Sequence, residues 1–129
     1  MRAPSVARCA LLLLAVRAHL KVRGFGASVA WARRLGTKPH AGTLPPDEVA
    51  RAAYHVALAA AFFPGRAVCL EQSLALYVLL RRRGVPADLR LGVRVYPFLA
   101  HAWVEVAGEP VNEDREAVEN LRPLPEIAA

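Results

Sequence analysis

At Gly84-Val85-Pro86 the hydrophobic repeat of this chain changes period. Upstream, from Cys69 to Arg83, the residues Leu70, Leu74, Tyr77 and Val78, joined by Leu76 and Leu80, recur at three- and four-residue spacing, the repeat of an α-helix. Downstream, Leu89, Leu91, Val93 and Val95 alternate with Asp88, Arg90, Gly92 and Arg94, the repeat of a half-buried strand. A helix with so apolar a face must be central and largely covered. Helices first and antiparallel strands last predict an α+β fold.

The remaining elements follow from local signals. Pro4 to Val22 has helical composition with no internal glycine or proline, and Gly24 and Gly26 break it. Ser28 is placed to cap a second helix, Val29 to Leu35, which Gly36 ends. Thr37 to Pro46 reads as a loop. Pro45-Pro46-Asp47-Glu48 starts a third helix, since proline suits a first turn and acids there complement the helix dipole. Val49, Ala52, Ala53, Val56, Ala57, Ala60 and Phe63 give that helix one apolar face, His55 lies on the other, and Pro64-Gly65 stops it. After Cys69–Arg83, Pro97 separates the first strand from a second, Leu99 to Val106. Gly108 turns into a third strand, Glu109 to Asn112; Arg115 to Asn120 reads as a helical turn and Leu121 to Ile127 as extended.

The chain has 129 residues, which predicts one domain with a real core, and the 55% apolar content argues against disorder. The net charge of +6 is compatible with nucleic acid, an anionic surface or an acidic peptide. Nucleic-acid binding is not expected, because no helix-turn-helix, zinc-finger or aromatic RNA-binding pattern accompanies the charge. The Arg81-Arg82-Arg83 run reads as a solubilising helix end. Two cysteines, Cys9 and Cys69, make neither a disulfide framework nor a zinc site, so no metal or cofactor is expected, and a reducing, cytoplasmic setting is the simpler inference. The basic start followed by Cys9 to Val16 imitates a signal peptide, but Arg17 and His19 interrupt a run too short to span a bilayer. It reads as a helix of the folded domain, with a membrane-surface helix the lesser alternative.

Three residues could carry chemistry together. Cys69 falls at the first turn of the central helix, where free N–H groups and the positive dipole end stabilise a thiolate. Cys9, inside an apolar helical run, reads as structural. His101 lies in the second strand and shares a face with Trp103 and Glu105, opposite Ala100, Ala102 and Val104. If Val106-Ala107-Gly108 is a three-residue loop, Glu105 pairs with Glu109, Trp103 with Val111, and His101 with Glu113. A two-residue loop, Ala107-Gly108, brings Asp114 opposite His101 instead. Glycine's preferred place favours Glu113, with Asp114 the competitor. The set reads as a cysteine nucleophile, an imidazole that takes its proton, and an acid that orients the imidazole. The oxyanion donors would be N–H groups near Cys69, with Gln72 a weaker candidate. A non-catalytic peptide-binding protein and an acyl or amine transferase using the same triad are the alternatives.

These motifs resemble a known family. Cys69-Leu70-Glu71-Gln72-Ser73-Leu74-Ala75-Leu76, Leu79-Leu80-Arg81-Arg82-Arg83-Gly84-Val85, Leu91-Gly92-Val93, Ala100-His101-Ala102-Trp103-Val104-Glu105 and Gly108-Glu109-Pro110-Val111-Asn112 are similar to the transglutaminase-like leader peptidase of lasso-peptide biosynthesis. The resemblance runs from about Pro46 to Leu124. It implies a papain-like core with a catalytic Cys69, His101 and Glu113, the last where the family usually has aspartate. It implies residues 1–45 as an N-terminal helical segment and 46–129 as the transglutaminase-like core, with a small antiparallel sheet packed on the cysteine-bearing helix. The implied activity is removal of the leader from a ribosomally made precursor peptide. The implied partners are that precursor, a separate leader-recognition protein, as in the split form of the family, and a macrolactam-forming synthetase.

Overall fold

A computed structural model describes residues 3–36, 44–62, 69–94, 99–113 and 122–123, with the backbone alone of Cys69, Arg94, Leu99, Ala100, Arg122 and Pro123. Helix α1 (Val6–Arg23) starts at Ser5, whose Oγ accepts the Arg8 N–H at 3.2 Å. It buries Cys9, Leu13 and Val16. Gly24, at φ 84° and ψ −178°, a region open essentially to glycine alone, joins α1 directly to α2 (Phe25–Leu35). The predicted Ser28 cap is therefore wrong. One glycine does the work of a loop, so α2 begins earlier, and Ser28 is buried inside it with its Oγ 2.7 Å from His19 Nδ1.

Helix α3 (Pro46–Ala61) begins where the proline pair and the two acids place it. His55 is not on an idle face. Its Nδ1 lies 2.7 Å from the Pro4 carbonyl, and Glu48 accepts the Ala3 N–H at 2.9 Å, so two α3 side chains hold the entry to α1. Helix α4 (Cys69–Arg82) packs against α1, α2 and α3 and against the sheet. Leu74, Leu76 and Leu80 are wholly buried, each worth about 2–3 kcal/mol by burial. The helix ends at Gly84, with the Val85 N–H returning to the Leu80 carbonyl at 3.0 Å. Arg81 is more than a solubiliser: its Nε donates to the Gly36 carbonyl at 3.2 Å and its guanidinium lies 6.0 Å from the Tyr77 ring centroid.

The strands β1 (Ala87–Arg94), β2 (Leu99–Val106), β3 (Glu109–Pro110) and β4 (Arg122–Pro123) form an antiparallel sheet in the order β3-β2-β1-β4. Leu89 pairs with Val104 and Leu91 with Ala102; all four are buried, and Leu89 and Val104 join the core that also holds Cys9, Leu13 and Val16 of α1. One core thus spans the N-terminal helices and the sheet, and the architecture is α+β, as predicted.

The hairpin register differs from the favoured one. Glu105 pairs with Pro110 and Val106 with Glu109, so the loop is the two residues Ala107 and Gly108, at φ 54° and 80°. Two left-handed residues are the primed turn whose twist suits adjoining strands. Burial explains the choice. This register sets Val111 against Val104, with the Val111 N–H donating to the Val104 carbonyl at 2.9 Å, and packs Val111 on the core. The three-residue loop would have turned Val111 to the other face. The third strand also stops at Pro110 rather than Asn112, and residues 111–113 bend away. The readings for 37–43, Pro64-Gly65, Pro97 and 115–120 lie outside the described residues, as does the 121–127 segment except for its 122–123 bridge to β1.

Candidate active site

Where β3 ends, the edge of β2 is closed by side chains. Val104 N–H donates to Asn112 Oδ1 at 2.9 Å. Asn112 Nδ2 donates to Ser73 Oγ at 3.0 Å, and Ser73 Oγ donates to the Ala102 carbonyl at 3.0 Å. Ser73 is fully buried, and this chain leaves its hydroxyl satisfied on both sides. The amide of Asn112 thus stands in for a strand neighbour, and it ties α4 to the residues on either side of Trp103.

Ser73 is one turn beyond Cys69 on the same face of α4, about 6 Å along the axis. The anchored turn of α4 is therefore the one that Cys69 opens, and the carbonyl it grips belongs to the residue after His101. The Cys69 side chain lies outside the described residues. Its backbone position, first in the helix, is the predicted one.

His101 Nε2 lies 2.9 Å from Glu113 Oε2, and both side chains are largely covered, at 17% and 28% exposure. Glu113 is the residue anticipated beside His101, but the route differs. In a strand continued at the observed register, Glu113 would fall opposite Ala102, on the core-facing side. The bend at 111–113, anchored by Asn112, brings its carboxylate to the imidazole instead. Asp114, the competitor, lies outside the described residues. With Nε2 engaged by Glu113, Nδ1 is the nitrogen left for another partner.

The rest of the His101 face is also built. The Trp103 ring stacks near His101, at 6.1 Å between centroids and 22° between planes. Trp103 Nε1–H donates to Glu105 Oε2 at 2.8 Å, and Arg90, opposite Trp103 on β1, pairs with Glu105 Oε1 at 3.3 Å. The indole, itself buried, is clamped, and it limits where the imidazole can swing. Neither Ser73 nor Asn112 is a residue that the sequence marks as chemical. A polar residue inside an otherwise apolar helix face was the available signal for Ser73; Asn112 had none beyond its place next to Glu113.

Cys9 has the opposite environment to a helix start. It is fully buried in α1, and burial pushes its thiol up from 9.0 to about 11. That keeps it an unreactive thiol near neutral pH. Among the described residues no group of three His, Cys, Asp or Glu could hold a metal ion, and no helix is long and apolar enough to cross a membrane.

A family model described as the transglutaminase-like superfamily matches residues 12–126. The chain is also similar to the Microcin J25-processing protein McjB of Escherichia coli, 41% identical over 59 residues. That similarity covers 46% of this chain and 28% of the relative, so the chain spans little more than a quarter of the relative's length. No solved structure matches the chain. The resemblance read from the motifs is borne out by the superfamily match and by this relative.

Proposed function

The chain belongs to the transglutaminase-like superfamily, and from that premise we propose that it is a cysteine peptidase that removes the leader from a ribosomally made lasso-peptide precursor. The observation that carries this reading is the 2.9 Å His101–Glu113 pair at the β2 edge, where Ser73 fastens the turn of α4 that Cys69 opens. The similarity to a microcin-processing protein supports a peptide substrate. The precursor, a separate leader-recognition protein and a macrolactam-forming synthetase are the partners this role requires.

In the proposed reaction His101 Nδ1 takes the Cys69 proton, and Glu113 at Nε2 steadies the imidazolium. The thiolate adds to the scissile carbonyl. N–H groups at the start of α4 hold the oxyanion. Collapse breaks the C–N bond, and the imidazolium protonates the leaving amine, which is the new N-terminus of the core peptide. His101 then takes a proton from water as it attacks the thioester, releasing the leader as a carboxylate and restoring the thiol pair.

The test incubates the chain with a precursor peptide and a leader-binding protein and weighs the products. One cut at the leader–core junction, abolished in Cys69→Ala and in His101→Ala, is the expected result. Cutting that survives either substitution rejects the mechanism. An inert Cys69 thiol toward alkylation, with the precursor bound but uncut, would instead favour a peptide-binding protein.

A further inference from the structure

Helix α1 is apolar on two sides. It buries Cys9, Leu13 and Val16 in the core, yet Ala7, Leu11, Leu14 and Ala18 run along its outer side at alternating four- and three-residue spacing. Leu11 and Leu14 are 68% and 58% exposed, and Val22 at the end of the stripe is 80% exposed. That spacing is the seam of a helix that packs against another helix. The stripe is flanked by grooves. On one side a groove of about 700 Å³ opens toward Ala59 and the exposed Phe62 of α3. On the other a groove of about 410 Å³ opens toward Leu35 and Leu79. Leu11 is the ridge between them. A continuous apolar surface of this kind marks an interaction site.

Charge says what covers it. Residues 1–46 hold eight of the 17 basic side chains and none of the 11 acids; the remaining chain holds nine basic residues and all the acids. The whole excess of positive charge therefore belongs to the N-terminal helical segment. Arg8, Lys21 and Arg23 are exposed along α1. A second copy of α1 laid on the first would bring arginine to arginine, so self-association is opposed by like charge. An anionic bilayer would match the charge but would leave the two grooves beside Leu11 unfilled. The side-chain ridges of a helix fill such grooves.

We propose that the outer face of α1 docks an amphipathic helix of a partner protein, with large apolar residues at heptad spacing and aspartate or glutamate along its flanks. The surface goes beyond the peptidase reading and does not depend on it, because docking is measured without cleavage.

The test uses labelled synthetic helices and the full chain. One peptide carries leucine at the a and d positions and glutamate beside them. A second has the same composition scrambled, and a third has lysine for glutamate. By fluorescence polarisation the acidic helix binds saturably and weakens with added salt; the scrambled and lysine peptides bind about tenfold more weakly or not at all. Leu11→Ser with Leu14→Ser lowers its affinity about tenfold or more, and since both side chains face solvent, the melting temperature is retained. Charge reversal (Arg8→Glu, Lys21→Glu, Arg23→Glu) exchanges the preference toward the lysine peptide. No saturable binding, equal binding of the scrambled peptide, or a double serine variant that binds unchanged overturns the proposal. So does co-sedimentation with phosphatidylglycerol vesicles, or a concentration-dependent dimer, that the double variant abolishes while the acidic helix fails to bind.

Discussion

Asn112 donates to Ser73 across 3.0 Å, and through that bond the bend carrying Glu113 is tied to the helix that Cys69 opens. Neither residue touches the imidazole in the described contacts. Together they set the end of β3, the anchorage of α4 on β2 and the bend that delivers Glu113.

Ser73→Ala should lower stability by about 1–3 kcal/mol, because the Ala102 carbonyl and the Asn112 amide both lose a buried partner. Asn112→Ala frees the Val104 N–H as well and should cost a similar amount, with a further loss of peptide cleavage, since the bend at Glu113 is released. Urea unfolding and cleavage rates on the same preparations check both. A stable, fully active Asn112→Ala protein would show that the bend holds without it.

Glu113→Gln should slow cleavage by about a hundredfold or more, as expected when an imidazole loses the acid that orients it. Asp114→Asn should stay within about threefold of the parent. Single-turnover rates decide between them, and a larger loss at Asp114 would transfer the orienting role to that residue.

Cys9 predicts an alkaline limit. Its folded thiol is raised to about 11 from 9.0, so the fold favours the neutral form. The stabilisation is whole below pH 9, where the unfolded thiol is also protonated, and is lost as pH rises through 11. At most about 3 kcal/mol is at stake across that window. Denaturation curves from pH 9 to 11 should be less steep in pH for Cys9→Ala than for the parent, whatever the offset from the lost sulfur.

Ala107 sits at φ 54° in a turn that favours asparagine or glycine. Ala107→Asn should raise stability by about 0.5–1 kcal/mol, by relieving a left-handed alanine. Thermal unfolding measures it. No gain would mean that the left-handed alanine stores little strain.

Much of the fold is legible along the chain, because helix and strand periods, proline starts and glycine stops are local. Pro46 begins α3, Cys69 begins α4, and Ala87, Leu89 and Leu91 of β1 are buried while Asp88 and Arg90 between them are not, as the alternation dictates. Ser28 misled because a hydroxyl before an apolar run looks like a cap, whereas Gly24 had already turned the chain. Glu113 does lie beside His101, but the ladder that predicts it there does not form.

The order and kind of the elements, and the residues able to act, are thus written locally along the chain. Which of two hairpin registers forms was decided by tertiary structure, since the loops Ala107-Gly108 and Val106-Ala107-Gly108 differ locally by little, and only the packing of Val111 on the core beside Val104 separates them. The Ser73–Asn112 bond is of the same kind. Its two groups lie 39 residues apart, and they meet because burying α4 against β2 leaves a carbonyl and an N–H at that edge which must find partners.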